Sequence, residues 1–121
     1  MYPFWEQAYT HINAMRVIAR GTLRRFVEKL RGHKDHKAGK SALDAWFYEA
    51  EHAAWKNPAD VRKAFASASI VSADRVVFNI KGNDYRLVVA INYRLQIVFI
   101  KWLGSHAEYD DIDVRTVKYG N

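Results

Sequence analysis

Three side chains in the C-terminal half of the chain have the types and the spacing to do chemistry. Arg86 lies in an otherwise apolar stretch, and its planar guanidinium suits bidentate contact with phosphate or carboxylate oxygens. His106 can donate or accept a proton near neutral pH, and Tyr109 follows three residues later, on the same side if this stretch is helical. Each has a structural alternative: Arg86 in a salt bridge to Asp110, His106 capping a turn, and Tyr109 packed in the core.

Strands must position these groups. Apolar residues that alternate with a period of two predict three strands, at residues 76–81, 85–91 and 95–100. Residues 82–84 (Gly-Asn-Asp) and 92–94 predict the two turns between them, and such short turns make the strands antiparallel neighbours. Residues 16–19 predict a further strand, and Gly104-Ser105 breaks the pattern after the third strand of the meander.

Helices are predicted before the strands. Apolar residues at helical spacing indicate a helix over 23–30 with Thr22 as its cap, and a second helix that opens at Ser41 after a polar loop at 33–40. A short third helix follows Asn57-Pro58, which suit the N-cap and N1 positions. Helices come early and strands late, so the sequence predicts an α+β fold with the helices packed on one face of an antiparallel-rich sheet of about four strands.

Positive charge is concentrated near the N-terminal end of the predicted domain. The formal net charge is +6, and residues 16–40 carry nine Lys or Arg against two acidic residues, a local charge of +7. This concentration raises the odds of a polyanionic partner, nucleic acid first. A solubilising helix face is the alternative interpretation, and the charge pattern leaves both open.

Length and composition limit the remaining classes. At 121 residues the chain is one domain by size, and no apolar run approaches the roughly 18 residues of a membrane span. Cysteine is absent, which excludes disulfides and thiolate metal sites and is compatible with cytoplasm. Residues 1–14 do not join the pattern that follows, so we interpret them as an extension, possibly from an upstream start, and assign the domain to 15–121.

Three other groups of residues are weak candidates for a metal site or a catalytic site. The acidic segment at 108–113 lacks calcium-loop spacing, so a solvated segment is the better interpretation. His33 and His36 lie in a basic loop that repels cations. Ser105 next to His106 is no triad, because a nucleophilic serine needs its base across space with an orienting acid. We therefore predict no metal site.

Two motifs carry a family resemblance. Residues 78–87 (FNIKGNDYRL) and 105–110 (SHAEYD) together resemble the HigB toxins of bacterial toxin–antitoxin pairs, which are relatives of the RelE ribonucleases. The resemblance covers about residues 15–110, and the order and spacing of the predicted elements agree with it. Asn57-Pro58 ahead of a short helix is a further match.

The resemblance implies a function and partners. It implies a compact RelE-like fold, ribosome-dependent cleavage of messenger RNA without a cofactor, and neutralisation by a helix-turn-helix antitoxin of HigA type. Arg86 is carried over as the residue that stabilises the transition state. Metal-independent cleavage also needs a proton acceptor for the 2′-hydroxyl and a donor for the 5′-oxygen, and His106 and Tyr109 are the candidates. Tyr109 could instead stack on a base.

RNA contacts are expected from two groups of residues. The predicted contacts are Lys81, Asn83 and Lys101 near the strands, and Arg24, Arg25 and Lys29 on the basic helix. For Asn83, turn geometry alone is the stronger explanation. Two rival functions stay open: a non-catalytic module that binds nucleic acid through the 16–40 surface, and an interaction protein whose basic face meets an acidic partner. Steep salt dependence would favour nucleic acid over the acidic partner.

Overall fold

The computed structural model describes residues 15–118, and the predicted extension at 1–14 lies outside them. This part of the chain holds four helices: α1 (Arg20–Lys29), α2 (His36–His52), α3 (Pro58–Ala64) and the single turn α4 (His106–Tyr109). It also holds five strands: β1 (Arg16–Ile18), β2 (Ser69–Ile70), β3 (Arg75–Ile80), β4 (Tyr85–Asn92) and β5 (Ile97–Ser105). None of the described helices is both long and apolar enough to cross a bilayer.

One mixed sheet contains all the described strands. Their order is β1-β5-β4-β3-β2, in which β1 runs parallel to β5 and the other neighbours are antiparallel. The predicted α+β fold and meander are confirmed, with five strands rather than about four. The extra strand is β2, which pairs only Ser69 and Ile70 with β3 and is too short for an alternation pattern to reveal.

The core lies between the helices and one face of the sheet. Every second residue of β3 and β4 points into it, as the predicted alternation requires. Phe78 is 1% exposed and contacts the rings of Trp46 and Phe65, with centroid distances of 5.4 and 5.0 Å. Asn57 caps α3 as predicted, because its side chain accepts a hydrogen bond from the backbone N–H of Asp60.

Two predicted helix starts were wrong. Helix α1 begins at Arg20, so Thr22 lies inside the helix with its side chain buried and does not cap it. Helix α2 begins at His36 rather than Ser41, so residues 36–40 of the loop predicted at 33–40 are helical. Gly39 explains the second error: its position lies so close to α1 that a Cβ there would be 3.1 Å from Cδ1 of Leu30. The residue that weakens the helix pattern is therefore one whose small size favours close packing of the two helices.

Strand β5 differs most from the expected alternation. Val88 pairs with Trp102 but Val89 pairs with Ile100, so Lys101 is the extra residue of a β-bulge. The strand also continues through Gly104 to Ser105, past its predicted end. The bulge shifts the alternation by one residue, so Trp102 lies on the side of the sheet opposite to Ile100.

Candidate active site on the outer face of the sheet

The side of the sheet turned away from helices α1–α3 carries the residues that could do chemistry. We call this side the outer face and define it by Asn79, Arg86, Val88, Trp102 and Gly104. Asn79, Arg86 and Gly104 are paired across β3, β4 and β5 in one row, and Val88 and Trp102 are paired in the next. The outer face is partly covered by α4 and by the segment that follows it.

Arg86 projects from the middle of this face. Its neighbours Tyr85 and Leu87 are buried on the helix side, so the alternation of the strand directs Arg86 outward. Its Nη1 donates hydrogen bonds to the backbone carbonyls of Asn83 at 2.8 Å and of Tyr85 at 3.3 Å. No carboxylate of residues 15–118 forms an ion pair with it, so the alternative of a salt bridge to Asp110 is not formed. The guanidinium is oriented while several of its N–H groups keep no protein acceptor within this range.

Helix α4 brings Tyr109 to Arg86. Ser105 begins the helix with a capping box, in which its hydroxyl accepts from the backbone N–H of Glu108 and the Glu108 carboxylate accepts from the backbone N–H of Ser105. The guanidinium carbon of Arg86 then lies 5.9 Å from the centre of the Tyr109 ring, within the range of a cation–π contact. Two of the three predicted catalytic residues are therefore in contact.

His106 lies at the start of the same helical turn and is exposed. Its backbone N–H donates to the carbonyl of Asp84 at 2.9 Å, which ties the beginning of α4 to the turn between β3 and β4. The same turn supplies the Asn83 carbonyl to Arg86. The predicted proton-transfer residue therefore lies on a segment that is fixed to the Arg86 site, with its imidazole open to solvent.

Sequence reasoning missed Trp102 and Gly104. An ideal Cβ on Gly104 would lie 2.5 Å from Cη2 of Trp102 and 3.0 Å from Oε1 of Glu108, so the indole occupies the space that a side chain would need. The ring of Trp102 lies 6.2 Å from that of Tyr109. A Trp-x-Gly spacing signals this arrangement, since residues two apart on a strand share a face, but the bulge at Lys101 conceals which face it is.

Lys81 is bound in a charged network on the helix side. Its ammonium lies 3.3 Å from Asp35 and 2.6 Å from Asp84, and the hydroxyl of Tyr85 donates to Asp35 at 2.8 Å. The hydrogen bond from Tyr85 and then the contacts with Lys81 lower the pKa of Asp35, and Asp84 and Asp35 raise the pKa of Lys81. Burial, together with Asp35, raises the pKa of Tyr85 to about 12. The network joins the α1–α2 loop to the β3–β4 turn.

The other predicted RNA contacts are spread over both sides of the molecule. Asn83 is exposed in the β3–β4 turn, where Lys81 and Gly82 take the positive φ values of 53° and 63°. Lys101 lies on the outer face with its ammonium 5.5 Å from the centre of the Phe99 ring. The basic residues of α1 (Arg24, Arg25 and Lys29) belong to the helix side, because α1 packs on the sheet through contacts such as that of Phe26 with Tyr85.

Comparison with known proteins identifies the class. A family model described as a RelE-like toxic component of a toxin–antitoxin system matches residues 39–112, which include Arg86, His106 and Tyr109. The protein is therefore a toxin of a toxin–antitoxin system. More narrowly, it belongs to the HigB toxin family, as the resemblance predicted. Helix α1 lies outside the matched residues, and no curated protein matches the chain.

Proposed function

We propose that this toxin is a ribosome-dependent endoribonuclease that cleaves translated messenger RNA without a metal ion. The observation that carries the proposal is the guanidinium of Arg86, which two backbone carbonyls orient on the outer face while no described carboxylate neutralises it. A cation that is fixed in direction and left unpaired is suited to bind a phosphate. Membership of a RelE-like toxin family supports the same activity.

The reaction is an attack of the RNA on its own backbone. The 2′-oxygen forms a bond to the adjacent phosphorus, the bond from phosphorus to the 5′-oxygen breaks, and a 2′,3′-cyclic phosphate and a 5′-hydroxyl result. The 2′-hydroxyl loses its proton to a base, and the leaving 5′-oxygen gains one from an acid. Arg86 stabilises the negative charge on the pentavalent phosphate. His106 and Tyr109 are the candidates for the proton acceptor and the proton donor. The ring of Tyr109 can also stack on a nucleobase.

The site is open, which is consistent with a requirement for the ribosome. His106 is exposed and Arg86 is only partly covered, so the protein alone does not enclose a substrate. Holding the message in line would then be the contribution of the ribosome, and alignment of this kind is a large part of the barrier to cleavage. The proposed partners are accordingly the ribosome with its message in the cytoplasm, and an antitoxin of HigA type.

Cleavage of a defined message on stalled ribosomes tests the proposal. The full chain is compared with Arg86→Ala, His106→Ala and the matched control Arg62→Ala, which removes an exposed arginine from α3 on the helix side. We expect ribosome-dependent cuts that leave 2′,3′-cyclic phosphate ends. Arg86→Ala should lower the rate by about 100-fold or more, because a stabilising donor of the transition state is lost, and His106→Ala by about 100-fold.

Different results would separate the rival functions. Arg62→Ala should cut like the wild type, and full activity of Arg86→Ala would contradict the proposed site. If the wild type makes no cut but binds RNA with steep salt dependence, the protein is a non-catalytic module that uses the 16–40 surface. The exposed arginines of α1 are the feature that favours this second function.

A further inference from the structure

The side chain of Trp102 extends toward the part of the outer face that carries Arg86. It pairs with Val88, and its indole extends along β5 over Gly104, which is the residue paired with Arg86. The large side chain therefore reaches from its own row of the sheet toward the row that carries the guanidinium. Diagonal neighbours of this kind on adjacent strands lie about 7–8 Å apart at the backbone, within reach of long side chains.

The environment of Trp102 differs from that of the two other tryptophans within residues 15–118. Trp46 and Trp55 are 2% and 4% exposed and lie in the core on the helix side. Trp102 is only partly buried, and the ring of Tyr109 is 6.2 Å away and tilted by 54° rather than stacked on it. Its indole lies over Gly104, and because the residue is only partly buried, part of its surface remains accessible on the face that carries Arg86.

An accessible indole next to a phosphate-binding cation matches the chemistry of a nucleotide, which carries a flat base close to its phosphate. Stacking on an aromatic side chain contributes about 1–3 kcal/mol per base and tolerates every base, with preferences that follow stacking strength. We propose that Trp102, with Tyr109 at its side, forms a subsite that stacks the base of the nucleotide next to the phosphate held by Arg86. The inference rests on the proposed function and assigns to that site a residue that determines substrate affinity and base preference.

Gly104 is part of the proposed subsite. Any side chain at this position would collide with the indole, since the first carbon alone would lie 2.5 Å from Cη2 and 2.6 Å from Cζ2. The backbone at Gly104 does not take a positive φ, so the constraint is the space over the glycine. Gly104→Ala should therefore displace the indole and weaken stacking on it, although the ring itself is still present.

The test measures cleavage on stalled ribosomes over a range of toxin concentrations. Trp102→Ala should raise the half-saturating concentration about 10- to 100-fold, the loss expected for one stacked base, and change the maximal rate less. Trp102→Phe should restore affinity to within a few-fold, and Gly104→Ala should behave like Trp102→Ala. Tyr48→Ala is the matched control, because it removes an aromatic ring that is 65% exposed on the helix side, and it should change nothing.

The result that overturns the subsite is a half-saturating concentration and base preference in Trp102→Ala within twofold of the wild type. If the wild type makes no cut, the proposed function fails, and fluorescence then decides the subsite alone. In a Trp5→Phe background, a short 2′-O-methyl RNA should quench tryptophan emission, since Trp46 and Trp55 are buried. Loss of that quenching in Trp102→Phe supports stacking on Trp102, and an absence of quenching in the parent overturns it.

Discussion

Tyr85 and Arg86 are consecutive residues of β4 and have opposite environments. Tyr85 is 7% exposed on the helix side, and its hydroxyl donates to Asp35, whose charge is also met by Lys81. Arg86 faces outward and donates only to backbone carbonyls among its described partners. In the network of Tyr85, Asp35 and Lys81 each polar side chain is paired with another, whereas the guanidinium of Arg86 on the outer face keeps N–H donors without a described protein acceptor.

The difference shows how one hairpin supports both structure and a site. Lys81 pairs with Asp84 across the β3–β4 turn, and this turn presents the Asn83 carbonyl that orients Arg86. The ion pair of Lys81 on the helix side thus helps to fix the turn whose carbonyl orients the unpaired guanidinium of Arg86 on the outer face. We therefore expect Tyr85 variants to lower stability and Arg86 variants to lower activity.

Among the variants that compare the two sides of the sheet, the largest effect should come from Arg86→Lys. A lysine keeps the positive charge but loses the planar fork that grips two phosphate oxygens, so we expect the cleavage rate on ribosomes to fall about 100-fold. The unfolding free energy should change by no more than about 0.5 kcal/mol, because no described ion pair is broken. Urea unfolding and single-turnover cleavage measure the two quantities. A lysine variant with wild-type rate would show that charge alone suffices.

Tyr85→Phe should lower stability and leave the cleavage rate unchanged, the opposite of Arg86→Lys. The variant removes the hydrogen bond to the Asp35 carboxylate and keeps the ring contact with Phe26, so we expect the unfolding free energy to fall by about 1–3 kcal/mol. Cleavage measured well below the unfolding midpoint should remain close to wild type. Tyr48→Phe, at an exposed position, is the control and should leave stability unchanged within about 0.5 kcal/mol. A loss of cleavage larger than the loss of folded protein would contradict the division between the faces.

The sequence predicted the two faces where the alternation is regular. The period of two predicted the strands β3 and β4, which are confirmed, and it separates Phe78 and Leu87, which lie in the core, from Arg86, which lies on the other face. The capacity of Asn57 to cap α3 was also visible, because a cap depends on local residues only. The family resemblance, rather than any pattern, directed attention to His106 and Tyr109.

Predictions failed where contacts distant in sequence override local signals. Gly39 and the basic residues around it indicated a loop, but that glycine lies inside helix α2, at a point where α2 passes close to Leu30 at the end of α1. Continued alternation through β5 would have placed Trp102 beside Ile100 in the core, and the bulge at Lys101 reverses this. The network of Asp35 and Tyr85 joins residues 50 positions apart, and no spacing in the sequence reveals it.

A smaller effect is expected when the network of Asp35, Tyr85 and Lys81 is titrated with acid. The pKa of Asp35 is lowered in the folded protein, so its ionised form adds stability above the unfolded value of about 3.9. That contribution is lost as the pH falls through the lower folded pKa. The unfolding free energy, measured by urea unfolding at stepwise lower pH, should therefore decline less steeply in Asp35→Asn than in the wild type. Tyr85→Phe, which removes the largest cause of the shift, should be intermediate, and parallel curves for all three would contradict the linkage.

The smallest effect should come from the basic surface of α1, which lies on the side of the sheet opposite to Arg86. If Arg24 and Lys29 contact phosphates of ribosomal RNA, the double variant Arg24→Ala, Lys29→Ala should weaken half-saturation a few-fold and leave the maximal rate unchanged. The slope of log affinity against log salt should become shallower by about 2, one unit for each lost contact. The matched control is Arg62→Ala, Lys63→Ala on α3, which removes the same charge from another exposed helix. Equal effects in both pairs would mean that net charge, rather than a surface formed by α1, attracts the toxin to the ribosome.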